Sequence, residues 1–119
     1  MRDHKSLVAW QQARIVVAAA IRLSRSHWRA PLSPIFAQLL RAALSIQLNI
    51  AEGYALRTSA RFANHLTIAY GSTVESTELL ELALEENLLP QDLVMPALIA
   101  ARRCQGLLLG LIRKVRGKR

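Results

Sequence analysis

The chain has 119 residues, 52% of them apolar but only 5% aromatic, and a formal charge of +8. That length suits one domain with its own core, and a hydrophobicity carried by Ala and Leu favours closely packed helices over a sheet sandwich. The single cysteine, Cys104, excludes an internal disulfide and a cysteine-based zinc site.

The opening stretch "MRDHKSLVAWQQARIVVAAAIRLSRSH" does not read as a secretory signal, because Gln11, Gln12 and Arg14 interrupt its apolar run and no cleavage site follows. It predicts a first helix over about 6–27, with Leu7, Trp10, Ile15, Val17, Ile21 and Leu23 covering more than half its circumference. "RAPLSP" then breaks the pattern. A second helix is expected over about 33–53, with Ser33 as N-cap, Pro34 as first helical residue and Gly53 as the C-terminal stop. Its face is Phe36, Leu39, Leu40, Ala43, Ile46 and Ile50.

The third helix is expected over about 59–87, capped by Thr58 or Ser59, with Phe62, Leu66, Ala69, Thr73, Leu80 and Ala83 or Leu84 as its apolar face. Gly71 and Ser72 near its middle suggest close approach of a neighbour. The fourth is expected over about 90–114, with Asp92 in its first turn and Pro96 a local disturbance, followed by a basic tail over 115–119. The expected fold is all-α: an antiparallel up-down four-helix bundle in one domain spanning 1–119. Helices one and four are apolar over more surface than a lone bundle buries, so a homo-oligomer is expected. No window approaches about 18 uninterrupted apolar residues, so no membrane span is expected, and the expected location is cytoplasmic.

The charge is unevenly spread. Residues 1–57 hold eight Lys or Arg against two acids, 58–90 one against five, and 91–119 seven against one. At about 100° per residue, Arg14, Arg22, Arg25 and Arg29 fall within roughly 80° of helix one, and Arg102, Arg113 and Arg116 within roughly 60° of helix four. From these stripes Arg14, Arg22, Arg25, Arg29, Arg102 and Arg113, together with Arg103 and Lys114, are candidates for phosphate contacts with RNA or DNA. The bland alternatives are a solvated face, or pairing with Glu75, Glu78, Glu81, Glu85 and Glu86 on helix three. Trp28 lies beside Arg29, but aromatics do not interleave with the arginines as a stacking platform, and sequence-specific readout is not indicated.

Enzymatic chemistry finds little support. His4, His27 and His65 are dispersed, no Glu-x-x-His pair is present, and Ser45, Ser72 and Cys104 have no His at a recognisable spacing, so no metal, cofactor or catalytic residue is expected. "GLLLG", Gly106 to Gly110, points to helix packing. Arg41, Ser45, Asn49, Glu52 and Glu75 lie at positions where they would form a polar network fixing the angle between helices two and three. A catalytic pair is the sharper and less supported reading of the same residues.

Beyond these readings, Leu7, Trp10, Gln11 and Ala13, then Arg41, Ala42, Ser45, Ile46, Asn49, Ile50, Ala51, Glu52 and Gly53, then Phe62, Leu66, Ala69, Gly71, Ser72 and Glu75 reproduce a familiar pattern. The chain resembles the four-helix-bundle protein family, also called the 23S ribosomal RNA intervening-sequence protein family, over its first three helices. It departs from that pattern at Gln47-Leu48 and Ala55-Leu56, and Arg57 would have to replace an arginine that often follows the glycine. The resemblance implies a four-helix bundle assembled into a ring of five. It also implies a likeness in fold to the accessory proteins of diversity-generating retroelements, basic pentamers that bind nucleic acid and a reverse transcriptase. No enzymatic activity is implied. The expectation is therefore a non-enzymatic, basic homo-oligomeric scaffold, pentameric by the resemblance, that binds structured RNA or DNA, with a protein partner as a further candidate. The alternative is a structural or protein-binding oligomer.

Overall fold

The computed structural model describes residues 3–56 and 58–117. Among them the chain is all-α. Helix α1 spans Val8–His27, α2 Ser33–Leu56, α3 Ser59–Glu85 and α4 Gln91–Gly117, with short 3-10 turns at His4–Ser6 and Ala30–Leu32. The molecule measures 46 × 22 × 21 Å, so the helices run along one long axis. Each helix packs against its neighbour in sequence, and α4 closes back on α1.

Helix boundaries follow local chemistry. Ser33 is already helical (φ −54°, ψ −37°), so it is not the N-cap the sequence suggested; the chain winds into α2 directly from the turn holding Pro31. Thr58 is the extended N-cap of α3, without a side-chain bond. At the other end of α3, Asn87 takes a left-handed conformation (φ 53°). There Leu88 N donates to Ala83 O at 2.9 Å and Asn87 N to Leu84 O at 3.2 Å. This pair of bonds satisfies carbonyls that the helix end would orphan, and Asn tolerates the left-handed position better than most residues. Pro90 O accepts from Leu93 N and Val94 N, starting α4. Pro96 lies inside α4 rather than ahead of it. Lacking an N–H, it leaves the preceding turn one bond short at an exposed position.

Gly53 does not end α2, which continues to Leu56; no glycine among the described residues has positive φ, and nothing in Tyr54-Ala55-Leu56 breaks a helix. The basic tail expected from residue 115 is helical to Gly117, with Val115 buried; residues 118–119 lie outside the described residues, as does Arg57.

The core has two parts. One gathers Leu23, Phe36, Leu39, Leu80, Val94 and Leu98. The other gathers Ile46, Ile50, Leu66, Cys104, Leu108 and Ile112. Between their contributions to α3 lie the buried hydroxyls of Ser72, Thr73, Ser76 and Thr77. Three of these bond back to their own helix: Thr73 to Tyr70 O at 2.6 Å, Ser76 to Ser72 O at 2.9 Å and Thr77 to Thr73 O at 2.5 Å. Short side chains that satisfy themselves in this way let helices approach without orphaned polar groups. Twelve of the buried residues are alanines, which serves the same end.

Helix α4 has an 18-residue window of mean hydropathy 1.3, long and apolar enough to cross a membrane by length and composition. Within the fold it packs on α1 and α3 through Val94, Ala97, Ala101, Cys104, Leu108 and Ile112, with 39% of that window buried.

Excess apolar surface is present, but not only on helices one and four as the sequence suggested. Val8, Ile15 and Ile21 on α1 and Ile99 and Leu107 on α4 are exposed. So are Leu44, Leu48 and Leu56 on α2, and Ile68, Val74 and Leu82 on α3.

A candidate polyanion-binding face and the polar joint between α2 and α3

Arg14, Arg22 and Arg25 recur at spacings of eight and three, which keeps them on one side of α1. All three are exposed, and with Ala18, Ile21 and Ser26 they line an open groove of about 410 Å³. Among the described residues none of them has an acidic group within ion-pair distance. Arg22 also borders a second groove, shared with Asp92 and Pro96 of α4.

Arg29 does not extend this stripe. Helix α1 ends at His27, and the Arg29 guanidinium turns back to donate to Leu88 O at 3.4 Å. It thereby links the two chain connections at that end of the molecule. The α4 cations also divide. Arg102 meets Glu81 at 3.6 Å, and Arg116 donates to Thr67 Oγ1 at 3.4 Å, so both lean toward α3. Arg103, Arg113 and Lys114 are exposed and carry no ion pair among the described residues. Of the eight expected phosphate contacts, Arg14, Arg22 and Arg25 share the α1 groove, while Arg29 and Arg102 are engaged by Leu88 O and Glu81.

The second polar feature joins α2 to α3. Asn49 is its centre. Its Nδ2 donates to Ser45 O at 2.9 Å and approaches Ser45 Oγ at 3.3 Å, and its Oδ1 lies 2.9 Å from His65 Nδ1. Since the amide oxygen can only accept, the His65 proton sits on Nδ1. Ser72 Oγ donates to Ser45 Oγ at 2.8 Å. Glu52 lies 3.9 Å from His65 Nδ1, mostly in solvent. One to two turns earlier on α2, Gln38 Nε2 donates to Glu75, and Arg41 donates to Gln38 Oε1 at 3.0 Å.

The five residues expected to form this network thus fall into two runs. Ser45, Asn49 and Glu52 belong to one, Arg41 and Glu75 to the other. Arg41 reaches Glu75 only through Gln38. His65, Ser72 and Gln38 were not anticipated as members. A signal for them exists in retrospect: Gln38, Ser45, Asn49 and Glu52 form one helical stripe, and His65, Ser72 and Glu75 form another.

Gly53 explains why the helices come so close there. A Cβ on it would lie 2.7 Å from His65 Cβ and 3.0 Å from Phe62 Cδ1. Gly71 is the reverse case. It is exposed with nothing within 4 Å, so it is not the site of close approach that its place in α3 suggested; its neighbour Ser72 is. Gly106 and Gly110 likewise face open space, so the "GLLLG" pattern marks no helix contact within the chain.

Cys104 is fully buried, and burial pushes its thiol from 9.0 up to about 12. It lies 3.3 Å from Ala9 O, in position to donate a weak bond that ties α4 to α1. A thiol held neutral is a poor nucleophile. Among the described residues no three His, Cys, Asp or Glu side chains gather where they could hold a metal ion.

Among the described residues, four α-helices, a polar joint between the second and third, and an exposed basic groove on the first define an all-helical protein. The chain belongs to the 23S rRNA-intervening sequence protein family, whose model matches residues 5–110. Comparison with curated proteins gives no match.

Proposed function

We propose that this protein is a non-enzymatic, cytoplasmic scaffold that binds structured RNA or DNA through the α1 groove. The observation that carries this reading is the trio Arg14, Arg22 and Arg25, gathered on one helix face and making no ion pair among the described residues. Three unpaired guanidiniums repel one another and gain from a polyanion that neutralises them together. In the same reading the helices form an antiparallel up-down bundle. The paired residues support this, since Gln38 meets Glu75, Ser45 meets Ser72 and Asn49 meets His65, numbers rising on α2 as they fall on α3. The bundle assembles into a homo-oligomeric ring, five-membered as the family resemblance implies. A ring repeats the basic face on every copy, so modest contacts multiply when one nucleic acid spans several subunits.

The Arg102–Glu81 pair favours a second reading, a structural or protein-binding oligomer whose cations serve its own acidic faces. Fluorescence-anisotropy titration against a structured RNA and a matched DNA duplex, across salt concentrations, separates the two. Binding that weakens log-linearly with salt supports the first reading, and its slope counts the phosphate contacts. The Arg22→Glu/Arg25→Glu variant should lose that binding with its oligomeric mass unchanged. A dissociated oligomer supports the second reading instead, and absence of binding even at low salt removes the first.

A further inference from the structure

Trp28 is, at 59%, the most exposed of the large hydrophobic side chains among the described residues. The other tryptophan behaves differently: Trp10 is half-buried against the core and meets His4 edge to face at 5.4 Å. Trp28 makes no ring contact or hydrogen bond among the described residues. Its place is nonetheless well defined. It directly follows α1, in extended conformation, and the next residue is anchored by the Arg29 bond to Leu88 O. Beyond that, Pro31 stiffens the turn into α2. An indole held out from a fixed backbone loses little further freedom when something lies against it.

What lies against it is indicated by the charges beside it. Trp28 comes three residues after Arg25 and directly after the last residue of α1, just past the helix end that carries Arg22 and Arg25, although it does not itself line their groove. From Arg14 to His27 the helix rises about 20 Å at 1.5 Å per residue. Guanidiniums along a groove, with an exposed indole just past the end of the same helix, suit a strand that offers phosphates and an accessible base.

We infer that Trp28 is a stacking platform for an unpaired nucleobase, with Arg14, Arg22 and Arg25 holding the backbone of the same strand. The inference rests on the nucleic-acid reading above and deepens it. The preferred ligand is a nucleic acid with unpaired nucleotides, such as a loop or a strand end. A continuous duplex keeps its bases stacked inside and offers the indole nothing. Stacking of this kind is tolerant of sequence.

The test uses the full-length protein with a labelled oligouridylate and a blunt RNA duplex of equal length, by anisotropy at low salt. Indole emission is followed during titration with unlabelled oligouridylate. The oligouridylate should bind more tightly than the duplex and quench the indole, and the quench should vanish in Trp28→Phe. Trp28→Ala should weaken oligouridylate binding about five- to a hundredfold while Trp28→Phe retains most of it. Duplex binding and oligomeric mass should stay unchanged in both variants. Equal losses on both probes, no loss on either, or unquenched emission would overturn the inference while leaving the basic groove intact. A changed mass would overturn it too, since Trp28 would then be covered by a second copy. If neither probe binds the unmodified protein, the reading it rests on falls with it.

Discussion

Glycine shows at the residue scale how one residue type serves different ends within a single chain. Gly53 is helical and buried, and what it supplies is the absence of a side chain: its missing Cβ is the space that His65 and Phe62 occupy. Gly53→Ala would force α2 and α3 apart. Overpacking of this kind typically costs about 1–3 kcal/mol, so the variant should melt well below the parent. Gly71 is also helical, but exposed and free of neighbours within the chain. Gly71→Ala should therefore raise stability by about 0.5–1 kcal/mol through the conformational entropy of the unfolded chain. Thermal melts of both variants by circular dichroism, at matched protein concentration, check the pair. A destabilising Gly71→Ala would mean that another copy lies against that face.

The α2–α3 joint belongs to the element scale, because its work is to set one helix against another. Asn49 spends its amide donor on α2 and its acceptor on α3, so it links the two helices through a single side chain. Asn49→Ala leaves His65 Nδ1 without its partner in a half-buried place, and about 1–3 kcal/mol of stability should be lost. Glu52→Gln should change little, since Glu52 is mostly solvated and its approach to His65 is long. Urea melts of the two variants distinguish them, and equal effects would mean that the joint is electrostatic rather than hydrogen-bonded. Much at this scale was legible in the sequence. The four amphipathic segments and the polar character of Ser45, Asn49 and Glu52 follow from helical periodicity alone. The rest was not, for definite reasons. His65 is sixteen residues from Asn49, and only the packing of two helices brings them together. Gly53 read as a stop because a glycine after an apolar run commonly ends a helix, and a requirement for space is invisible until the neighbour is known. The fourth arginine of the α1 stripe was lost for a related reason: angular projection assumes that the helix continues, and α1 ends before Arg29.

For the whole molecule the question is what covers the exposed apolar side chains. Single exposed leucines are ordinary on a protein surface, but here they fall on helices that touch: Leu44 and Leu48 on α2, Ile68 and Val74 on α3. Ile15 on α1 and Ile99 on α4 are exposed as well, on a second pair of helices that touch, while Ile21 lines the basic groove. A two-fold dimer pairs one patch with itself, whereas a closed ring needs two different patches on every copy. The proposed ring would draw those patches from the exposed apolar side chains on α2 and α3 and on α1 and α4. Leu48, at 51% exposure, is the sharpest probe, since it contributes little to the core of its own chain. Leu48→Glu should leave the helical content unchanged by circular dichroism while lowering the mass seen in analytical ultracentrifugation. Nucleic-acid affinity should then fall as well, although no arginine has been altered, because the repeated basic faces are no longer held together. Retention of the parent mass would place Leu48 outside the assembly contact. Loss of mass with affinity unchanged would show that one copy alone carries the whole binding surface.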